Sequence, residues 1–189
     1  MTPEDIHAFW FEGDRHAFRQ RWFERDDAFD AACGRFAALL APAREGALDG
    51  WMESPAGSLG LCLVLDQFPR NLHRGTPAAF ACDGKAREVA REAVLRRRQD
   101  LALTPTERIF LYLPFEHAES MADQDRSVAL FEGLRDIAAF AAPEGAIAYA
   151  WQHWRVIREF GRFPHRNAAL GRPNTPAEEA YLARPDAGF

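Results

Sequence analysis

The sequence predicts an all-α fold, an antiparallel array of about six to nine helices joined by short loops. Three observations predict it. Hydroxyl–proline pairs recur at Thr2-Pro3, Ser54-Pro55, Thr76-Pro77, Thr104-Pro105 and Thr175-Pro176, each a helix start with proline at the first helical position. Between these pairs the apolar residues recur with helical period. Strand signals are nearly absent: there is no alternating run and no Asn-Gly hairpin turn.

The elements follow in chain order. Ile6, Phe9 and Trp10 mark a short first helix that stops near Gly13. Phe29, Ala32, Cys33, Phe36 and Leu40 keep i, i+3, i+4 spacing and predict the next. Leu59 to Phe68 is apolar nearly all round, so a central buried helix is expected, ending at Pro69. Phe80, Ala86, Val89, Ala90, Ala93 and Val94 mark another. Ile109, Leu113 and Ala118 to Met121 continue across Pro114, where a kink or break is expected. Val128, Phe131, Leu134, Ile137 and Ala138 form a further helix, closed by Pro143 and Gly145. Ala146 to Phe160 is the last long one, and Tyr181 and Leu182 belong to a short C-terminal one. Thr104-x-x-Glu107 and Thr175-x-x-Glu178 fit the capping box, in which the carboxylate reaches back to the cap N–H.

Composition bounds the class. With 189 residues, 48% of them hydrophobic, the chain suits one all-helical domain over 1–189. No apolar stretch approaches the roughly 18 residues of a membrane span, so no membrane partner is expected. The acidic start Met1-Thr2-Pro3-Glu4-Asp5 has no basic n-region, so no signal peptide is expected either. Cys33, Cys62 and Cys82 form no C-x-x-C pair and sit among apolar or small residues, as reduced cysteines of a cytoplasmic protein do. The net charge of −5 argues against a general nucleic-acid binder. Lys85 is the only lysine, and the arginine excess accompanies abundant Ala, Gly and Pro, the mark of a GC-rich coding sequence.

An internal echo stands out. Phe68-Pro69-Arg70-Asn71 is followed by Gly75-Thr76-Pro77. Phe163-Pro164-His165-Arg166-Asn167 is followed by Gly171 and Thr175-Pro176. In each copy a long apolar helix is expected to end at Phe-Pro, an Arg-Asn loop to follow, and a Thr-Pro cap to start the next helix. Two related helix-loop-helix halves would explain the echo. Helix-end capping by Arg and Asn accounts for one copy. Two copies that also carry His73, Arg74, His165 and Arg172 suggest an anion site, if the copies face one another.

The second chemical centre is Glu116-His117-Ala118-Glu119-Ser120, with Asp123-Gln124 shortly after. As a helix it would put Glu116 and Glu119 on one face and His117 on another. The i, i+4 spacing of H-E-x-x-H is missing, and Glu116-x-x-Glu119 only approaches the Glu-x-x-His unit of di-metal bundles. Asp66, His153 and His165 are conceivable ligands from other helices, but no metal and no cofactor is expected. The carboxylates instead suit the arginines: Asp66 lies four residues before Arg70, and Glu116 or Glu119 is expected to pair with an arginine of the Phe-Pro loops. Arg158 and His165 match the Arg-to-His spacing of some helical ribonucleases, a match of little weight in a chain so rich in arginine.

Longer motifs carry a resemblance. Phe9-Trp10-Phe11, Trp22-Phe23, Leu65-Asp66-Gln67-Phe68-Pro69-Arg70-Asn71 and Arg74-Gly75-Thr76 come first. Phe80-Ala81, Asp83, Pro114-Phe115-Glu116-His117-Ala118-Glu119, Gln124-Asp125 and Ser127 follow. Phe160-Gly161-Arg162-Phe163-Pro164-His165-Arg166-Asn167, Leu170-Gly171-Arg172 and Thr175 complete them. Together they resemble the DUF924 family of bacterial and fungal proteins of unknown function, over nearly the whole chain. The resemblance implies an all-helical fold similar to tetratricopeptide-repeat proteins. It supplies no substrate, cofactor or catalytic residue.

Binding is the leading expectation, because no nucleophile motif such as G-x-S-x-G is present, and hydrolysis is the alternative. The first is a binding module for an anionic small molecule or a peptide carboxylate. Arg70, Arg162, Arg166 and Arg172 would clamp the anion, Asn71 and Asn167 would orient it, and Trp51 or Trp154 would form an apolar wall. Asp66, His73, Arg74, Glu116, His117, Glu119, Gln124, His153 and His165 would line the rest. The other is a hydrolase of phosphate or acyl bonds, with His117, His153 or His165 as acid or base and Glu116, Glu119 or Asp66 orienting it. A structural or protein-interaction role is the third possibility. Geometry discriminates the first two: catalysis needs a histidine within reach of a carboxylate, and a binding cup needs clustered arginines without that pair. Neither substrate nor oligomeric state is legible.

Overall fold

The hydroxyl–proline pairs start helices as their chemistry dictates. The structure, a computed structural model, describes residues 1–185 and Ala187. Thr2 caps α1 (Pro3–Phe11), Ser54 caps the helix beginning at Pro55, and Thr175 caps the helix beginning at Pro176. Thr104 and Glu107 form a full capping box: the Thr104 N–H donates to Glu107 Oε2 at 2.7 Å, and the Glu107 N–H to Thr104 Oγ1 at 3.3 Å. Thr76-Pro77 differs, because Pro77–Phe80 makes only one 3₁₀ turn. Every regular element among the described residues is helical and none is a strand. No helix among them is long and apolar enough to cross a membrane.

The chain divides into two compact units. The first comprises Met1–Arg74 and Ala78–Phe115; the second comprises Gly75–Pro77 and the residues from Glu116 onward.

In the first unit, α1 is followed by α2 (Asp27–Cys33), α3 (Leu40–Arg44), α4 (Pro55–Cys62), α5 (Phe68–Leu72) and α6 (Asp83–Ala90). Helix α7 (Pro105–Glu116) leaves the unit at its last residue. The helix expected from Phe29 to Leu40 is interrupted: Gly34–Leu39 tightens into 3₁₀ geometry between α2 and α3. The core is aromatic. Trp10, Phe11, Phe36, Phe68 and Phe110 are fully buried. Trp10 stacks on Trp22 and meets Phe110 edge-on at 5.5 Å, while Phe36 stacks on Phe68 at 4.9 Å. Each such side chain contributes about 2–3 kcal/mol by leaving water, and edge-on or stacked pairing adds to that.

The central helix does not end at Pro69. A wider π turn over Leu63–Gln67 joins α4 to α5, which carries Pro69 near its start and runs on to Leu72. The Phe68 N–H reaches back five residues to Leu63 O, and the widened turn makes room for the proline ring. Arg70 and Asn71 are therefore helical, not loop residues.

The second unit holds α8 (Met121–Glu132), α9 (Ala138–Ala141), α10 (Ala146–Phe160), α11 (Asn167–Leu170) and α12 (Pro176–Leu182). Helix α10 matches its predicted span and ends at Gly161, whose φ of +70° suits a residue without Cβ. Its buried stripe is Ile147, Ala150, His153, Val156 and Ile157. Val156, Ile157, Phe163 and Tyr181 form a core, with Met121, Phe160 and Leu182 packed against it.

The segment from Glu116 to Ser120 is not a helix. Helix α7 passes through Pro114 and stops at Glu116, His117 lies in a turn, and α8 begins at Met121. The buried Gln124 amide supplies the reason. Its Nε2 donates to Glu116 O at 2.6 Å and to Ala118 O at 2.8 Å, satisfying carbonyls that a continuing helix would have used itself. Glu116 and Glu119 therefore do not share a helix face.

Candidate functional site

The second unit holds His117, His153 and His165. His153 occupies a core position on the buried stripe of α10. Its Nδ1 is 2.9 Å from Tyr149 O, the carbonyl one turn earlier. A carbonyl only accepts, so Nδ1 carries the proton and Nε2 keeps the lone pair. Glu116 Oε1 stands 3.3 Å from the same Nδ1, with 7% and 4% of the His153 and Glu116 side chains exposed. The His117 ring lies 6.1 Å from that of His153 and is half-buried. Burial pushes the His153 imidazole well below the ordinary histidine range, and positive charge on His117 and Arg166 acts in the same direction.

Phe163 supports His153 from the side, with their rings edge-on at 5.5 Å. Phe163 is in turn held at both ends of its peptide unit. Its N–H donates to Glu119 Oε1 at 2.8 Å, and its carbonyl accepts from Arg172 at 3.0 Å. Arg172 also forks onto Glu119 at 2.7 and 2.9 Å, closing a ring of bonds around one residue. Asn167 Oδ1 accepts from Arg172 Nε at 2.9 Å, while Asn167 Nδ2 donates to Asn174 Oδ1. Arg166 lies over the Phe163 ring at 4.4 Å and donates to His117 O at 3.1 Å. His165 packs against Phe163 at 5.5 Å. One aromatic residue thus ties His153, His165, Arg166 and the Glu119–Arg172 pair together.

A second fork braces the same stretch. Arg162 holds Glu178 at 2.6 and 2.7 Å and donates to Pro173 O at 2.9 Å. Glu178 also closes the Thr175 capping box. The Arg162 bond and the Thr175 N–H together hold its carboxyl at about 2.

The Phe68–Asn71 segment of the first copy lies in the first unit and is braced in the same manner. Arg70 forks onto Asp83 at 2.9 and 3.1 Å, donates to Asp66 O at 2.6 Å, and stands 3.3 Å from the expected partner Asp66 Oδ1. Gln67 Nε2 donates to the other oxygen of Asp66. Arg74 forks onto Asp30 at 2.6 and 2.9 Å, and Asn71 donates to the same carboxylate at 2.6 Å. His73 closes α5 at its C-terminus. Arg70, Arg74, Arg162 and Arg172 each direct their fork at a carboxylate of their own unit. Clamping a ligand with any of them would mean breaking an ion pair.

The pairing of Glu119 with Arg172 is the one expected between a carboxylate of the 116–120 segment and a Phe-Pro loop arginine; Glu116 has His153 beside it. Other candidates fall elsewhere. Trp154 Nε1 donates to Asp125 on α8, and its ring carries Arg158 at 5.0 Å, so both serve the outer face of α10. Trp51 is half-buried in a 3₁₀ turn of the first unit. A surface cleft lined by Met52, Lys85, Val89, Glu92 and Arg97 holds charges already paired: Lys85 with Asp49, Arg97 with Glu92. Sequence reasoning missed Asp30 and the second duty of Glu178, whose capping-box spacing was visible but whose arginine was not. It also gave Phe163 no role beyond its motif.

Comparison with curated proteins gives no match. Among solved structures, the chain is similar to a protein of unknown function, ATU0120, from Agrobacterium tumefaciens. The two are 41% identical over 96% of each chain, with a TM-score of 0.84. The family model for bacterial proteins of unknown function, DUF924, matches residues 6–186. The chain belongs to the DUF924 family.

Proposed function

We propose that this protein is a hydrolase that activates water at Glu116, His117 and His153 and cleaves a phosphate or acyl ester of a small anionic substrate. The observation that carries this reading is the approach of the His153 ring to the Glu116 carboxylate, 3.3 Å apart in a buried corner beside His117. The backbone bond to Tyr149 already satisfies the Nδ1–H of His153. A carboxylate on the same nitrogen and a second imidazole alongside exceed what packing requires. Water that loses a proton at this corner attacks phosphorus or the acyl carbon as hydroxide. The ester oxygen departs and takes up the proton. Arg166 fixes positive charge next to His117, where it stabilises negative charge developing on the substrate. The arginine clamp is the weaker reading, since three of its four arginines, Arg70, Arg162 and Arg172, already fork onto carboxylates.

The test is a panel of chromogenic phosphate monoesters, phosphate diesters and short acyl esters, assayed with the purified protein. Turnover of one class, abolished in Glu116→Gln, is the expected result. No turnover of any class, together with saturable binding of anions, would replace hydrolysis by simple binding.

A further inference from the structure

We propose that Glu116, His117 and His153 hold one divalent transition-metal cation of the zinc type. Each residue offers one ligand atom, and the three atoms all lie within 4.8 Å of one another. Two imidazoles and a carboxylate form the His₂Glu donor set. Three protein ligands of this kind leave a fourth position for water, the mark of a catalytic rather than a structural zinc site.

The geometry is close to what the ion needs. Ligands at ~2.0–2.1 Å in a tetrahedron stand about 3.3 Å from one another, so the widest gap of 4.8 Å closes by roughly 1.5 Å.

The outer shell is also in place. The bond of His153 to Tyr149 O orients the ring, as a backbone carbonyl does for a ligand histidine. Gln124 fixes the Glu116 carbonyl and Arg166 fixes the His117 carbonyl, so the two adjacent ligands are anchored by their backbone. Spacing along the sequence argued against a metal because it assumed a helix through residues 116–120. In the turn that replaces it, consecutive residues serve as ligands, which a helix would have aimed apart.

A bound cation lowers the pKa of its water toward neutrality and supplies the hydroxide of the proposed reaction. That catalytic use rests on the hydrolytic reading above; binding of the ion does not.

The experiment takes protein stripped with a chelator and dialysed. Zinc chloride is titrated in by calorimetry, and bound metal is counted by mass spectrometry. One zinc per chain is expected, with a rise in melting temperature. Affinity should fall at least tenfold in His117→Gln and in Glu116→Gln, and remain unchanged in His16→Gln. His153 is buried, so His153→Gln is read only if its circular dichroism matches the parent. His117→Gln, at a half-buried position, keeps the test decisive. No zinc bound, or binding indifferent to all three ligand substitutions, overturns the proposal. One site-dependent zinc without turnover supports the cation and removes only the hydrolysis. Turnover undiminished in zinc-free protein that takes up no zinc keeps the hydrolysis and removes the cation.

Discussion

Replacing Glu119 by Gln separates the ion pair from the hydrogen bonds it shares. Glu119 Oε1 accepts from the Phe163 N–H at 2.8 Å and from Arg172 at 2.9 Å, and Oε2 accepts from Arg172 at 2.7 Å. An amide with its oxygen at the Oε1 position keeps the first two bonds. Its NH₂ then faces a guanidinium donor, so one bond becomes a clash of donors. Unit charges at ~4 Å attract by about 4 kcal/mol at an effective dielectric near 20, before desolvation is subtracted. Exposed pairs retain ~0.2–1 kcal/mol, and breaking a buried pair costs ~3–5. Here 27% of the Glu119 side chain and 23% of the Arg172 side chain remain exposed, which places the coupling between those limits, at about 2 kcal/mol. For a chain of this size that lowers Tm by about 4–8 °C. Thermal melts of Glu119→Gln, Arg172→Gln and the double variant form a complete cycle. The double variant should be about 2 kcal/mol more stable than the sum of the singles implies. Additivity within about 0.5 kcal/mol would refute the reasoning, since it would mean that the fork contributes nothing beyond its separate ends.

Other outcomes follow from the rest of the molecule. Burial would raise the Glu107 carboxyl, but hydrogen bonds from His7 and Thr104 and the charge of Arg15 overcome it and hold the group at about 2. Its folded value is thus depressed, so its contribution is complete above about 4.5 and is lost as pH falls toward 2; Glu107→Gln should flatten that part of an acid titration of stability and cost about 2 kcal/mol near neutral pH. A Cβ on Gly57 would lie 2.0 Å from Trp51 O, so Gly57→Ala should destabilise by about 3 kcal/mol or more. Gly34 has open space and ordinary helical angles, so Gly34→Ala should be neutral or stabilising by ~0.5 kcal/mol; paired chemical-denaturation curves check both. Burial raises the Cys33 thiol to about 12 and the Cys62 thiol well above its usual range, so a thiol reagent should modify them only after denaturant is added.

Much of the fold was legible because its signals are local. Thr104 and Glu107, or Thr175 and Glu178, are three residues apart, and a capping box needs nothing further away. Helix α10 was legible because one period runs unbroken from Ala146 to the Gly161 cap. Two features were misread for a common reason. Proline at 69 reads as a stop in the sequence, yet the π turn before it accommodates a proline within a continuing helix. Residues 116–120 read as helical in the sequence, yet the Gln124 side chain from the next helix takes up the carbonyls of Glu116 and Ala118. In both cases the decision lies in backbone bonds that no residue pattern displays. The site was legible as a list of polar residues and not as an arrangement. Glu116 and His153 are far apart in sequence, and nothing in either segment announces the other. The arginines were legible as a group, but their function turned on Asp30, Asp83, Glu119 and Glu178, which close each fork.

The most direct test of the account is the hydrolysis rate of His153→Gln, measured on whichever ester class the protein turns over and at a temperature where variant and parent are both folded. A group that holds or activates the attacking water supplies on the order of 100- to 10,000-fold. The account predicts a loss of at least about 100-fold with an unchanged circular dichroism spectrum. A folded His153→Gln protein that hydrolyses the substrate within about twofold of the parent rate, a difference of only ~0.4 kcal/mol in barrier, would contradict it.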